Sequence, residues 1–181
     1  MMKALAPPSA LALAASLVGA TFLPSAERSA ASLDGWAEMN EAARAFTVRD
    51  LEGRTLRSGD LAGKIVVIDF WATWCSPCLR ELPDLAEYHR RLEGRSDVAL
   101  LSFNVTDERP DLAAFVEERQ VPFPVYAGDS LIGPYELVAF PTKLVLDLRE
   151  GAPGVVRFRR EGYTPVGSIE ARVADLLARP R

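Results

Sequence analysis

The sequence predicts a three-layer α/β/α chain built on a central mixed sheet. Three observations carry that expectation. Ile65 to Phe70 is a continuous apolar run rich in β-branched residues, of the kind a sheet places at its centre. A helical pattern follows it almost at once, and alternating strand and helix patterns then end in a β-hairpin and a last helix. At 181 residues, 49% hydrophobic and 25% charged, the composition is globular and allows one good core with short extensions. The formal charge of −4 argues against a nucleic-acid binder, which needs a basic face for phosphate contacts.

The chain divides in order. Residues 1–26 carry Lys3 as their one charge and an Ala/Leu-rich run from Ala10 to Leu23, with small residues at Val18-Gly19-Ala20 and Pro24-Ser25-Ala26. This is the pattern of a secretory signal peptide; counted from Leu5, the run also approaches the ~20 residues of an uncleaved membrane anchor. Residues 27–45 read as a polar, Ala-rich linker with Trp36 its one large apolar residue, leaving 46–181 as the domain. Phe46 to Leu51 and Arg54 to Leu56 alternate around Glu52-Gly53, an N-terminal β-hairpin.

After the central strand, Leu79, Leu82, Leu85, Ala86 and Leu92 share a helix face that Gly94 ends, with Pro77 in the first turn and Pro83 inside. Val98 to Val105 is a second strand, and a helix opens at Pro110 and runs to about Arg119. Val121 to Val125 is extended because its two prolines oppose helix, and Leu131 to Leu137 reads as a short helix. Thr142 to Leu148 and Val155 to Tyr163 form a hairpin around Gly151-Ala152-Pro153-Gly154, and Val166 to Ala178 is the closing helix.

Cys75 and Cys78 are the only cysteines, two residues apart where the central strand gives way to a helix. The unpaired N–H groups and dipole of a helix N-terminus favour a thiolate there. A zinc half-site would need two more ligands, and the chain offers one histidine, His89, expected on a solvated helix face. An inert staple is a poor use of so short a loop, because little unfolded-state entropy is removed. A dithiol that cycles between reduced and oxidised forms suits the setting best.

The run Asp69-Phe70-Trp71-Ala72-Thr73-Trp74-Cys75-Ser76-Pro77-Cys78 resembles the active site of the thioredoxin superfamily. Leu79-Arg80-Glu81-Leu82-Pro83 and Leu61-Ala62-Gly63-Lys64 resemble its exported TlpA/ResA-like thiol–disulfide reductase branch, and the similarity extends from about Phe46 to Leu177. The resemblance implies a thioredoxin-like fold in which residues from about Asn104 to Asp129 are the TlpA-type central insertion. It implies that Cys75 is an exposed attacking thiolate and Cys78 the more buried resolving thiol. It places Asp69 as a buried carboxylate able to take the Cys78 proton, although many TlpA-like proteins have Asn there, and Glu81 as an acidic residue at the active site. Phe140-Pro141-Thr142 matches the cis-proline loop facing the cysteines, so Trp74, Phe140, Pro141 and Thr142 are the expected substrate-binding residues.

Strong oxidants of this superfamily place a His between the cysteines; Ser76-Pro77 stands here instead and favours a reductase. The resemblance therefore implies a protein-disulfide reductase that needs no cofactor. It would act in the periplasm or on the outer face of the cytoplasmic membrane of a bacterium. Its partners would be a disulfide-containing protein, with apocytochrome c the family's best-known substrate, and an upstream thiol donor such as a membrane electron-transfer protein. Two other functions stay open: a copper-binding chaperone-like module on the same fold, which wants a wider cysteine spacing and a distant His, and a peroxiredoxin-like peroxide reductase.

Overall fold

The structure, a computed structural model, describes residues 34–180, so the expected signal or anchor at 1–26 and the first part of the linker lie outside the described residues. Eight strands and three α-helices follow one another: β1 Ala37–Ala42, β2 Thr47–Arg49, β3 Thr55–Arg57, β4 Ile65–Trp71, α1 Ser76–Arg91, β5 Val98–Asn104, α2 Arg109–Glu118, β6 Val125–Ala127, β7 Thr142–Asp147, β8 Val155–Glu161 and α3 Val166–Ala178. Six strands make one mixed sheet in the order β1-β8-β7-β4-β5-β6, while β2 and β3 pair separately as a hairpin.

Strand β4 sits at the centre because its sequence can be buried on both faces, and all seven of its residues are. It runs parallel to β5 and antiparallel to β7, with Asp69 opposite Ser102 on one side and Lys143 on the other. β5 is in turn parallel to β6. The two crossovers β4–α1–β5 and β5–α2–β6 step the sheet in the same direction, and the right-handed rule puts both helices on one face. That face carries a core of Ile65, Val67 and Trp71 from β4 packed with Leu85 and Tyr88 of α1, Leu112 of α2, and Ile169, Val173 and Leu176 of α3. The alternate residues Val66, Ile68 and Phe70 meet Val48 of the hairpin and Leu61, Leu131, Tyr135 and Leu137 on the other face. Strand alternation thus assigns each side chain to a layer.

Two expectations are corrected. Leu131 to Leu137 is not a helix: a 3-10 turn covers Asp129–Leu131 and turns follow, so this outer layer consists of hairpin and turns. The linker does not extend to residue 45. Ala37–Ala42 pairs antiparallel with β8 as an edge strand of the main sheet, with a register shift between Glu38 and Glu41. Trp36 anchors it, 1% exposed, with Nε1 donating to Ser168 Oγ at 2.7 Å and its ring edge-on to Phe158. The strand was hard to recognise because its own burial pattern is mostly exposed; only Trp36 is a core signal.

No helix among the described residues is long and apolar enough to cross a membrane. Because Trp36 both fills the α3 face and bonds Ser168, Trp36→Ala should lower unfolding stability by about 3–5 kcal/mol in denaturant titration. A change under about 0.5 kcal/mol, typical of surface sites, would show that β1 is peripheral after all.

Candidate active site

The chain leaves β4 at Trp71 and turns through Ala72-Thr73-Trp74 into α1, whose N-cap is Cys75. Cys75 N–H donates to Ala72 O at 3.2 Å, and Leu79 N–H donates to Cys75 O at 3.1 Å. Pro77 occupies the first turn, where its lack of an N–H costs nothing. Cys75 and Cys78 are joined as a disulfide with Cα atoms 5.3 Å apart, and the Cys78 N–H points at Cys75 Sγ, 3.3 Å away. The first sulfur therefore takes the place a Ser or Asp oxygen holds at an ordinary helix N-terminus. The expected contrast in exposure is small: Cys75 is 5% accessible and Cys78 2%.

The loop before the cysteines is held by a carboxylate the sequence did not single out. Asp107 accepts from Thr73 N–H and Thr73 Oγ1, both at 2.7 Å, and from Asn104 Nδ2 at 2.7 Å. Its neighbour Thr106, in the left-handed region at φ 67°, accepts from Trp74 Nε1 at 3.1 Å, while Asp129 fixes the Thr106 N–H at 2.7 Å. The one sequence signal was position: Asn104 to Asp107 lie at the C-terminal end of a parallel strand, where α/β folds place their sites.

One helical turn after Cys78, Glu81 joins a buried charge cluster. Asp69, Glu81 and Lys143 are 1%, 1% and 0% exposed. Lys143 Nζ lies 2.6 Å from Asp69 Oδ1 and donates to Glu81 Oε2, while Glu81 Oε1 accepts from Thr164 N–H. The Glu81 carboxyl is pushed above its ordinary value by burial, against the pull of Lys143 and Thr164, with the Asp69 charge adding to the rise. Glu81 is thus a core group, not the solvated helix carboxylate its polarity suggests. Lys143 was missed, although a lone Lys inside the apolar run Thr142–Leu148 is itself a signal.

Trp74 is 63% exposed, with its ring edge-on to Phe140 at 6.0 Å, and Phe140–Pro141 is a cis peptide. Trp74 and Phe140 thus pair at the surface next to the cysteine loop, and Val138, two residues before Phe140, is 83% exposed. Thr142 does not belong to that surface: it is fully buried and its hydroxyl donates to Ala139 O at 2.7 Å, bracing the loop from within. His89 is half-buried, edge-on to Phe123, rather than solvated. Among the described residues, no group of three or more His, Cys, Asp or Glu side chains is placed to hold a metal.

A dithiol motif capping a helix at the end of a central strand, facing a cis-proline loop, defines the thioredoxin-like class of α/β folds. Within that class, the chain belongs to the AhpC/TSA family, whose sequence profile matches residues 39–158. It is 33% identical over 104 residues to the thiol–disulfide oxidoreductase ResA of Bacillus cereus, covering 56% of this chain and 60% of that one. The chain thus matches about three fifths of the length of such curated relatives. The crystal structure of the pneumococcal exposed lipoprotein thioredoxin Etrx1 from Streptococcus pneumoniae superposes with a TM-score of 0.65 at 25% identity, over 73% of this chain and 99% of that one. StoA from Bacillus subtilis shares the fold at a TM-score of 0.61 and 19% identity, over 72% of this chain and 96% of that one.

A pH dependence follows from Glu81. Its folded value lies above the ordinary 4.5, so the native state holds this proton more tightly than the unfolded chain. The group's favourable contribution is full below 4.5 and is lost as pH rises through the folded value. Glu81→Gln should therefore match the wild type in acid and gain on it as pH rises, in urea midpoints measured across that window. A variant that instead loses ground with rising pH would reverse the sign.

Proposed function

We propose that the chain is a thiol–disulfide oxidoreductase, a reductase of disulfides in exported proteins that cycles Cys75 and Cys78 between dithiol and disulfide. The observation that carries this is Cys75 at the N-cap of α1, with the Cys78 N–H aimed at its sulfur. In the reduced protein that donor and the helix dipole would favour a Cys75 thiolate at neutral pH.

The cycle has two displacements. The Cys75 thiolate attacks one sulfur of a substrate disulfide; that S–S bond breaks, a mixed disulfide forms, and the leaving thiolate is protonated. Cys78 gives its proton to a carboxylate base, with Asp69 and Glu81 the candidates, and its thiolate attacks Cys75 Sγ. The Cys75–Cys78 disulfide forms and the second substrate thiol departs. Two electrons have passed to the substrate, and an upstream thiol donor, such as a membrane electron-transfer protein, restores the dithiol. The wall of Trp74, Phe140 and Pro141 would seat the substrate segment.

Apocytochrome c is the substrate we favour. We place the protein in the bacterial periplasm or on the outer face of the cytoplasmic membrane, with residues 1–26 as signal or tether. The ResA and Etrx1 likenesses and the absence of a His between the cysteines support these assignments.

The AhpC/TSA match makes peroxide reduction the second reading. It is disfavoured because the two cysteines lie within one helix turn as a Trp-Cys-x-x-Cys pair, which serves exchange with a disulfide more directly than attack on a peroxide. A copper chaperone would need a third ligand, and the cysteines have none beside them among the described residues.

Cys75→Ser should abolish reduction of a protein disulfide in an insulin-reduction assay. Cys78→Ser should accumulate mixed disulfides that can be isolated from cells. An undiminished rate in Cys75→Ser would rule out this chemistry, and peroxide consumption outpacing disulfide reduction in the wild type would favour the second reading.

A further inference from the structure

The sheet places one cation between two acids, one of them a helix turn after Cys78. On β4 the odd-numbered residues Ile65, Val67 and Trp71 face α1 and α3, and on β7 Val145 does the same, so Asp69 and Lys143 face that layer too. The two are register partners, and the 2.6 Å contact joins them directly. Glu81 reaches the same ammonium from α1, one turn after Cys78, a spacing that puts the two side chains about 5–6 Å apart at their Cβ atoms. Asp69 Oδ1 has this charge contact but no aligned hydrogen bond, although it is buried. The cluster therefore has two carboxylates and one ammonium, each at most 1% exposed. Around it, α1 supplies Cys78 and Glu81, the loop before α3 supplies the Thr164 N–H, and β8 supplies Arg160, the register partner of Lys143, whose guanidinium turns to Tyr163 O at 3.3 Å.

We propose that Lys143 is a positioning residue for the exchange reaction: its ammonium, shared by Asp69 and Glu81, keeps that carboxylate pair able to accept the proton that Cys78 releases when it resolves the mixed disulfide. This rests on the oxidoreductase reading above. With Lys143 present, the pair can stand without a bound proton and still carry a net charge of only −1 with its cation. When Cys78–SH transfers its proton, the cluster becomes neutral, the Cys78 thiolate displaces the substrate sulfur from Cys75, and the departing thiolate takes a proton from solvent. Without Lys143, two adjacent buried carboxylates would hold one proton between them, as like charges at close range do. The base would then be occupied when Cys78 needs it.

The test is Lys143→Met in the full chain, followed by stopped flow as the reduced protein reacts with an aromatic disulfide across a pH series. The fast phase reports attack by Cys75, and the slow phase reports resolution by Cys78. The expected result is a slow-phase pH profile displaced upward relative to the fast phase, with about tenfold slower resolution at neutral pH for each unit of displacement. A variant that is less stable to heat but keeps a superimposable slow-phase profile would show Lys143 to be structural only and overturn the proposal. A wild type showing neither phase would instead overturn the oxidoreductase reading itself.

Should Lys143→Met not fold, the wild type still decides. Side-chain carboxyl carbon NMR should show a Glu81 midpoint that moves on reduction of the disulfide. A Glu81 midpoint unmoved by reduction would contradict the shared-cation role.

Discussion

Complete burial of the central strand is the constraint on which the rest of the structure depends. Every residue of Ile65–Trp71 is buried, so each polar group on it must find a partner inside the protein. The backbone finds them in β5 and β7, and the Trp71 indole finds Ser102 Oγ at 2.8 Å. Asp69 cannot be satisfied by the ladder alone and draws Lys143 into the interior; Lys143 in turn draws Glu81 from the helix above. The strand's burial also fixes where the chain emerges, and it emerges into the turn that presents Cys75 at the start of α1.

That turn is held from two independent directions. Asp107 grips the Thr73 backbone and hydroxyl, Thr106 grips the Trp74 indole, and both sit just beyond the end of β5. The parallel pairing of β4 with β5 therefore does more than fill the sheet: it brings the next strand's C-terminal loop under the cysteine loop. From the far side, the Phe140–Pro141 segment closes the wall because β7 pairs with β4 on its other edge. Three segments distant in sequence meet at the cysteine loop through the order of strands.

Much of this was legible in the sequence, for identifiable reasons. The Val66 to Phe70 run, the Cys75/Cys78 spacing and the helix face of Leu79, Leu82 and Leu85 are strong local signals, and they placed the strand, the junction and the helix. What was not legible depended on tertiary pairing. Glu81 looks like any exposed helix acid until Lys143 is seen across from it. Lys143 looks like an interruption of an apolar strand until its register with Asp69 is known. Ala37–Ala42 alternates only over Ala37-Glu38-Met39-Asn40, and the register shift between Glu38 and Glu41 ends the pattern too soon to read as a strand. Thr142 reads as contact surface from its place beside Pro141, but alternation along β7 turns its side chain inward.

The central claim is that Cys75 and Cys78 form a reversible two-electron couple poised for reduction. It is tested most directly by equilibrating the protein against a series of thiol–disulfide redox buffers and measuring the fraction oxidised. One two-electron transition is expected, with a potential near the thioredoxin value of about −270 mV rather than the strong-oxidant value of about −120 mV. A disulfide that does not equilibrate with the buffers, or one that titrates near the oxidant value, would contradict it.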